Sequence, residues 1–171
     1  SPFRVLRSGA VGGSSVPMDV SDLVQPKAII PSLKASSKKQ VLQELARKAS
    51  EVSGVDQREI FDVLLERERL GTTGVGHGIA IPHGKLPNLE RIYGVFARMD
   101  QPIAFDSIDD EPVDLIFLLL APEGAGADHL KALARVSRLL RDRSVCTKLR
   151  GCESADAIYA LFGEAAASHA A

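Results

Sequence analysis

Val113-Asp114-Leu115-Ile116-Phe117-Leu118-Leu119-Leu120 is, apart from its one aspartate, a continuous apolar run. A run this short and this uniformly apolar suits a central strand covered on both faces. Two further apolar segments, Gly78 to Ile81 and Ile92 to Arg98, also read as strands. Helical spacing flanks them on both sides. Upstream, Val41, Leu42, Leu45, Ala46 and Val52 predict a helix from Ser37 to about Ser53, with Ser37 capping its first turn. A second helix is expected from Asp56 to about Leu70, turning Ile60, Phe61, Val63, Leu64 and Leu65 inward and stopped by Gly71. Downstream, a Gly-rich turn from Glu123 to Ala127 leads into a helix from Asp128 to about Arg141, followed by shorter ones at Ser144 to Gly151 and Ser154 to about Phe162. Strands held between helices at both ends of the chain imply an α/β layered fold in a single domain.

Composition narrows the function. The chain has 171 residues, 45% apolar and 25% charged, enough for a sizeable core without staples. Lys+Arg (21) and Asp+Glu (22) nearly cancel and form no long run of one sign, so the basic footprint of a nucleic-acid binder is missing. The longest apolar run is too short to cross a bilayer and nothing resembles a secretory signal, so a soluble, cytoplasmic protein without membrane insertion is expected. Residues 1–17, rich in Gly, Ser and Pro and without period, read as a disordered tail or a remnant of expression; the domain proper is placed at residues 18–171, with Met18 as the natural start. Cys146 and Cys152 lack the spacing of a zinc or redox motif and are expected to be free thiols in or near the core.

The densest unusual segment is Gly71-Thr72-Thr73-Gly74-Val75-Gly76-His77-Gly78-Ile79-Ala80-Ile81-Pro82-His83-Gly84-Lys85. Its glycines invite a nucleotide-loop reading, which fails on spacing. From Gly78 to Lys85 one residue too many intervenes for a P-loop, and Leu86 stands where Ser or Thr should hold magnesium. The dinucleotide pattern fails because Ile79 occupies the third glycine's place. No nucleotide or other cofactor is expected. His83 follows Pro82 at the tip of an apolar strand and precedes a glycine, which leaves its imidazole near the surface. Thr72 and Thr73 offer hydroxyls, Arg67 ends the preceding helix and Lys85 lies just beyond. These neighbours suit a dianionic phosphoryl group, whose oxygens take hydroxyls, backbone N–H groups and a guanidinium fork. A neutral imidazole keeps one nitrogen lone pair free to attack phosphorus in line, while the other nitrogen must hold its proton against a carbonyl or carboxylate.

Leu65-Glu66-Arg67-Glu68-Arg69-Leu70-Gly71-Thr72-Thr73-Gly74 and Gly78-Ile79-Ala80-Ile81-Pro82-His83-Gly84-Lys85 closely resemble the signature of the mannitol/fructose-type IIA proteins of the phosphoenolpyruvate-dependent phosphotransferase system, most of all its nitrogen-regulatory branch. Gln101 to Asp109, Pro112 to Phe117 and Asp128-His129-Leu130 extend the resemblance over roughly Asp22 to Leu161. It implies a mixed sheet flanked by helices in three layers. It also implies a phosphohistidine at His83 on Nε2, with Arg67 and a second histidine, His129, stabilising charge. Asp128 is expected to cap the helix that carries His129, so that the helix dipole adds to the anion site. Thr73 and Thr72 are the candidate phosphoryl-binding hydroxyls. Arg69 is read as part of a solvated helix end. His77, at a spot where the family commonly has Asn, lacks companion ligands for a metal, so no metal is expected. Asp106, Asp109 and Asp110 are read as loop-shaping residues.

The implied partners are a small histidine phosphocarrier protein as donor and regulated protein targets such as transporters or sensor kinases. Ile79, Ile81, Leu86 and Pro87 are candidates for a docking surface or, equally, for core. Two alternatives stay open: a sugar-specific IIA component serving a permease, and a non-phosphorylated interaction module.

Overall fold

The computed structural model describes residues 19–170, with side chains to residue 168. The expectations for residues 1–17 and Met18 lie outside the described residues. Helix α1 (Val20–Leu23) and a 3-10 turn (Pro26–Ala28) precede strand β1 (Ile29–Leu33). Next come α2 (Lys38–Ser53), α3 (Gln57–Leu70), β2 (Gly74–Gly76), β3 (Ile79–Ala80), β4 (His83–Leu86), β5 (Tyr93–Ile103) and β6 (Val113–Pro122). Three helices close the chain: α4 (Ala127–Arg141), α5 (Arg143–Arg150) and α6 (Ala155–Ala170).

The strands form one mixed sheet in the order β1-β5-β6-β3-β2, with β4 also pairing β6. Strand β6 is its axis: antiparallel to β5, parallel to β3 and β4. Residues Leu115 through Ala121 are all fully buried, as the continuous apolar run requires of a strand covered on both faces. One helical group is α2 with α3; the other joins α4 to α5, α5 to α6 and α1 to α6. Phe96, Phe117 and Phe162 meet at ring-centroid distances of 5.1 to 6.1 Å and tie β5 and β6 to α6.

Local chemistry sets the element ends. Ser37 caps α2 by accepting from the Gln40 N–H, and Asp56 caps α3 by accepting from Glu59 N–H. Helix α3 stops at Gly71. Strand β1 had no period to announce it, because Pro31 interrupts the pattern; at a sheet edge that proline costs no ladder bond. Strand β5 and helix α6 both run longer than expected. In α6 the Ala-rich sequence after Phe162 favours helix on propensity alone, and Ala165 is buried.

Strands β3 and β4 are one line of chain with a break. Ile79 faces Leu115, Ala80 faces Ile116 and His83 faces Leu119, all in the same register along β6. Pro82 sits in the break, has no N–H to give, and accepts from the Leu119 N–H at 3.0 Å. His83 therefore stands at the start of β4 and not at the tip of the preceding strand, as the sequence suggested.

Gly84 lets α3 lie close against β4: a Cβ there would fall 2.5 Å from Val63 Cγ1. Val63 and Arg67 lie one turn apart on α3, so this close approach also carries Arg67 toward His83. Valine is stiff at χ1 and cannot easily yield. Gly84→Ala is expected to lower stability by about 1 to 3 kcal/mol, read from chemical denaturation, and Val63→Ala in the same chain should recover part of it. Strictly additive losses would show that Gly84 does not serve as a spacer.

Candidate functional site

At Ile81 the chain leaves the company of β2. The Ile81 N–H still reaches back to the Thr73 carbonyl at 2.9 Å, but its own carbonyl has no strand beyond it. The His83 ring fills that place, with Nδ1 2.9 Å from the Ile81 oxygen. A carbonyl can only accept, so Nδ1 carries the proton and Nε2 keeps its lone pair. Arg67 Nε donates to that Nε2 at 3.4 Å, while its Nη1 is anchored on the Gly71 carbonyl at 2.9 Å. The half-buried imidazole is thus held at one nitrogen and offered at the other.

His129 completes the group. It lies in the first turn of α4, 95% buried, with its ring centroid 5.8 Å from that of His83. Its Nδ1 is buried without a hydrogen-bond partner among the described residues. Burial pushes its pKa below the ordinary value of 6.5, and the nearby charges of His83 and Lys85 push the same way. The cap expected of Asp128 is not made: Gly126 occupies the N-cap, and Asp128 lies inside the first turn with its N–H on the Ala125 carbonyl. The amides that open α4 consequently have no side-chain cap.

The structure brings together His83, Arg67 and His129, from β4, the end of α3 and the start of α4. The threonines are nearby in sequence, but their hydroxyl protons have other acceptors. Thr72 Oγ1 donates to the Phe105 carbonyl at 2.7 Å and accepts from Gly74 N–H. Thr73 Oγ1, buried, donates to the Glu68 carboxylate. A phosphoryl contact from either hydroxyl requires it to leave that acceptor. Lys85 is exposed on β4. Arg69 pairs with Glu66 at 3.0 Å on an exposed helix end, as a solvated face would.

The remaining candidates fall elsewhere. His77 adopts a left-handed φ of 56°, fastened by Asp109 accepting its N–H at 2.9 Å, and its Nε2 lies 3.0 Å from Arg143 Nη2. That N–H and the Glu111 N–H hold the Asp109 carboxyl below the usual carboxylate range, while Asp106 and Asp110 take left-handed φ in the same loop. Asp114 is instead paired with Arg150 at 2.7 Å. No group of three metal-ligating side chains occurs among the described residues. Both cysteines are free, and burial raises the Cys146 thiol pKa. Ile79, Ile81 and Leu86 are buried, so for these three the core reading holds, while Pro87 is exposed; among the described residues Leu70, Val75, Ile108 and Leu130 are the exposed large apolar side chains. The side chain of His169, which the Ala/Ser-rich end of the sequence would leave solvated, lies outside the described residues. What sequence reading missed was Glu68, buried under the site; its place in a charged helix end gave no sign of burial.

Comparison with known proteins agrees with this fold. The family model described as "Phosphoenolpyruvate-dependent sugar phosphotransferase system, EIIA 2" matches residues 22–165. The nitrogen regulatory protein of Bradyrhizobium diazoefficiens is 65% identical over 144 residues, 84% of this chain and 94% of that protein. That of Klebsiella oxytoca is 37% identical over 155 residues, 90% of this chain and 96% of that one. The crystal structure of nitrogen regulatory protein IIA-Ntr from Neisseria meningitidis has a TM-score of 0.79 at 32% identity, covering 84% of this chain and 98% of that chain. None of the described helices is long and apolar enough to cross a membrane.

A histidine with a depressed folded pKa binds fewer protons folded than unfolded, so stability falls as pH drops. The penalty from His129 begins near pH 6.5 and levels off below its folded pKa. His129→Gln should therefore lose less stability than the parent between pH 7 and roughly pH 5, measured by denaturant melts across that range. Parallel curves would mean that His129 titrates alike in both states.

Proposed function

This chain belongs to the EIIA type-2 family of the phosphoenolpyruvate-dependent sugar phosphotransferase system, and on that footing we propose that it is a phosphocarrier of the nitrogen-regulatory branch, accepting a phosphoryl group on His83 Nε2. The observation that carries the acceptor assignment is the His83 ring, its Nδ1 proton given to the Ile81 carbonyl and its Nε2 turned to Arg67. The regulatory branch is supported by the 65% identity to a relative named a nitrogen regulatory protein. The donor is a small histidine phosphocarrier protein, the setting cytoplasmic, and the targets are regulated proteins such as transporters or sensor kinases.

In the transfer, the donor's N–P bond breaks as the His83 Nε2 lone pair forms the new one, and Nδ1 keeps its proton on Ile81. No base is needed. Charge spreads over the phosphoryl oxygens in the transition state, so the protein's task is placement and electrostatic stabilisation. Arg67 supplies a fork of donors; it would exchange its contact with Nε2 for contacts with oxygen. His129 adds a neutral donor beside them, and the uncapped start of α4 adds its positive end. In this reading Thr72 and Thr73 act chiefly by fastening the loop between Arg67 and His83. Leu130, next to His129, and Leu70, three residues beyond Arg67, are both exposed and offer the docking surface in place of the buried Ile79, Ile81 and Leu86.

Incubation with phosphoenolpyruvate and the general proteins of the system, followed by mass spectrometry at neutral or alkaline pH, tests the reading. Phosphate on His83 is expected. No label at all would leave an interaction module, and phosphate passed onward to a sugar permease would favour the sugar-specific alternative.

His83→Ala should abolish labelling while the chain still unfolds cooperatively, because a half-exposed ring adds little packing. Arg67→Lys should slow labelling by roughly tenfold or more, since an ammonium cannot present two donors in one plane. His129→Ala should label slowly but to completion; losing one donor costs at most about 3 to 4 kcal/mol of barrier. Complete loss in His129→Ala with His83 intact would mean that the roles of the two histidines are wrongly divided.

A further inference from the structure

Glu68 is charged, yet its side chain is 4% exposed. Its carboxylate takes three donors: Lys38 Nζ lies 2.7 Å away, the Thr73 N–H donates at 3.2 Å, and the Thr73 hydroxyl donates as well. Lys38 is itself fixed, 4.7 Å above the Phe105 ring centroid and donating to the Phe105 carbonyl at 3.4 Å. A buried ion pair is seldom the most stable filling for such a space, since apolar residues of equal volume do as well or better. What the pair does accomplish is directional. It clamps Thr73 to the last turn of α3, and the Thr73 carbonyl holds the Ile81 N–H at 2.9 Å. The Ile81 carbonyl then takes the His83 Nδ1 proton. The same loop presents the Gly71 carbonyl that anchors Arg67.

The geometry points to Glu68 and Thr73 as positioning residues that, through Ile81, fix the orientation and tautomer of the His83 ring. Neither touches the reacting atoms. Pro82 stiffens the relay, because its ring sets φ for the residue that joins Ile81 to His83. Loosening Thr73 frees Ile81 to turn. The imidazole then loses its Nδ1 acceptor, only the longer 3.4 Å contact from Arg67 still favours that tautomer, and part of the population carries the proton on Nε2, which then cannot attack phosphorus.

This inference rests on the reading of His83 as phosphoryl acceptor only in its kinetic consequence; the tautomer can be read without any transfer. The His83 ring nitrogens are observed by 15N NMR in unphosphorylated full chain at a pH where the ring is neutral. In the parent, two well-separated resonances reporting an Nδ1–H ring are expected. In Glu68→Gln and Thr73→Val the two should draw together, and in Thr73→Ser they should stay apart. If Glu68→Gln fails to fold, the double variant Lys38→Met/Glu68→Leu removes the pair without stranding a charge and is judged by the same criterion. Unchanged separation in the folded variants, or an Nε2–H ring in the parent, overturns the inference.

In the labelling reaction, kcat should fall by roughly tenfold to hundredfold in Thr73→Val, while KM for the donor protein stays within about twofold. A rise in KM at unchanged kcat would instead place these residues at the docking surface and overturn the inference. A parent that accepts no phosphate would sink the proposed function while leaving the tautomer result to decide the relay.

Discussion

The carbonyl of Ile81 is the group on which the site depends. It lies just past the end of β3, where the neighbour on that side, β2, no longer runs alongside, so the sheet cannot satisfy it. A backbone acceptor left unpaired near the core costs about 1 to 3 kcal/mol. The His83 ring removes that cost at 2.9 Å and in doing so gives up its rotational freedom and its choice of tautomer. The nucleophile is thus oriented by the backbone's own need for a donor. Proline at position 82 makes the arrangement possible, since it interrupts the line of β3 and β4 without breaking their shared register on β6.

Much of this was legible in the residues, for identifiable reasons. Long periodic helices with good caps, such as those opened by Ser37 and Asp56, announce themselves locally, and the Val113 run could only be a covered strand. The pairing of Nδ1 with a carbonyl follows from what a neutral imidazole must do to keep the other nitrogen free. The missed elements are those whose stability is not local. Strand β1 contains a proline that only an edge position tolerates, and β2 is a Gly-Val-Gly segment that is a strand only because β3 lies beside it. The same holds for side chains. Thr73 looks like a free donor until the burial of Glu68 is known, and that burial comes from the packing of α2 on α3, which brings Lys38 into reach. Asp128 looks like a cap until Gly126 is seen to occupy the position.

The charges around the site divide into two kinds. Lys38 is spent on Glu68 and Arg69 on Glu66, each pair serving a loop or a helix end. Arg67 is different: it donates to the Gly71 carbonyl and to the neutral His83 imidazole, neither of which cancels its charge. A carboxylate in either place would hold the guanidinium as firmly, but would oppose the arrival of a dianion. Anchoring an arginine on uncharged acceptors keeps it in position and leaves its field intact, which is the economical way to prepare a site for charge that is not yet there. Burial acts in the same direction on His129: it favours the uncharged imidazole, whose Nδ1 has no hydrogen-bond partner among the described residues.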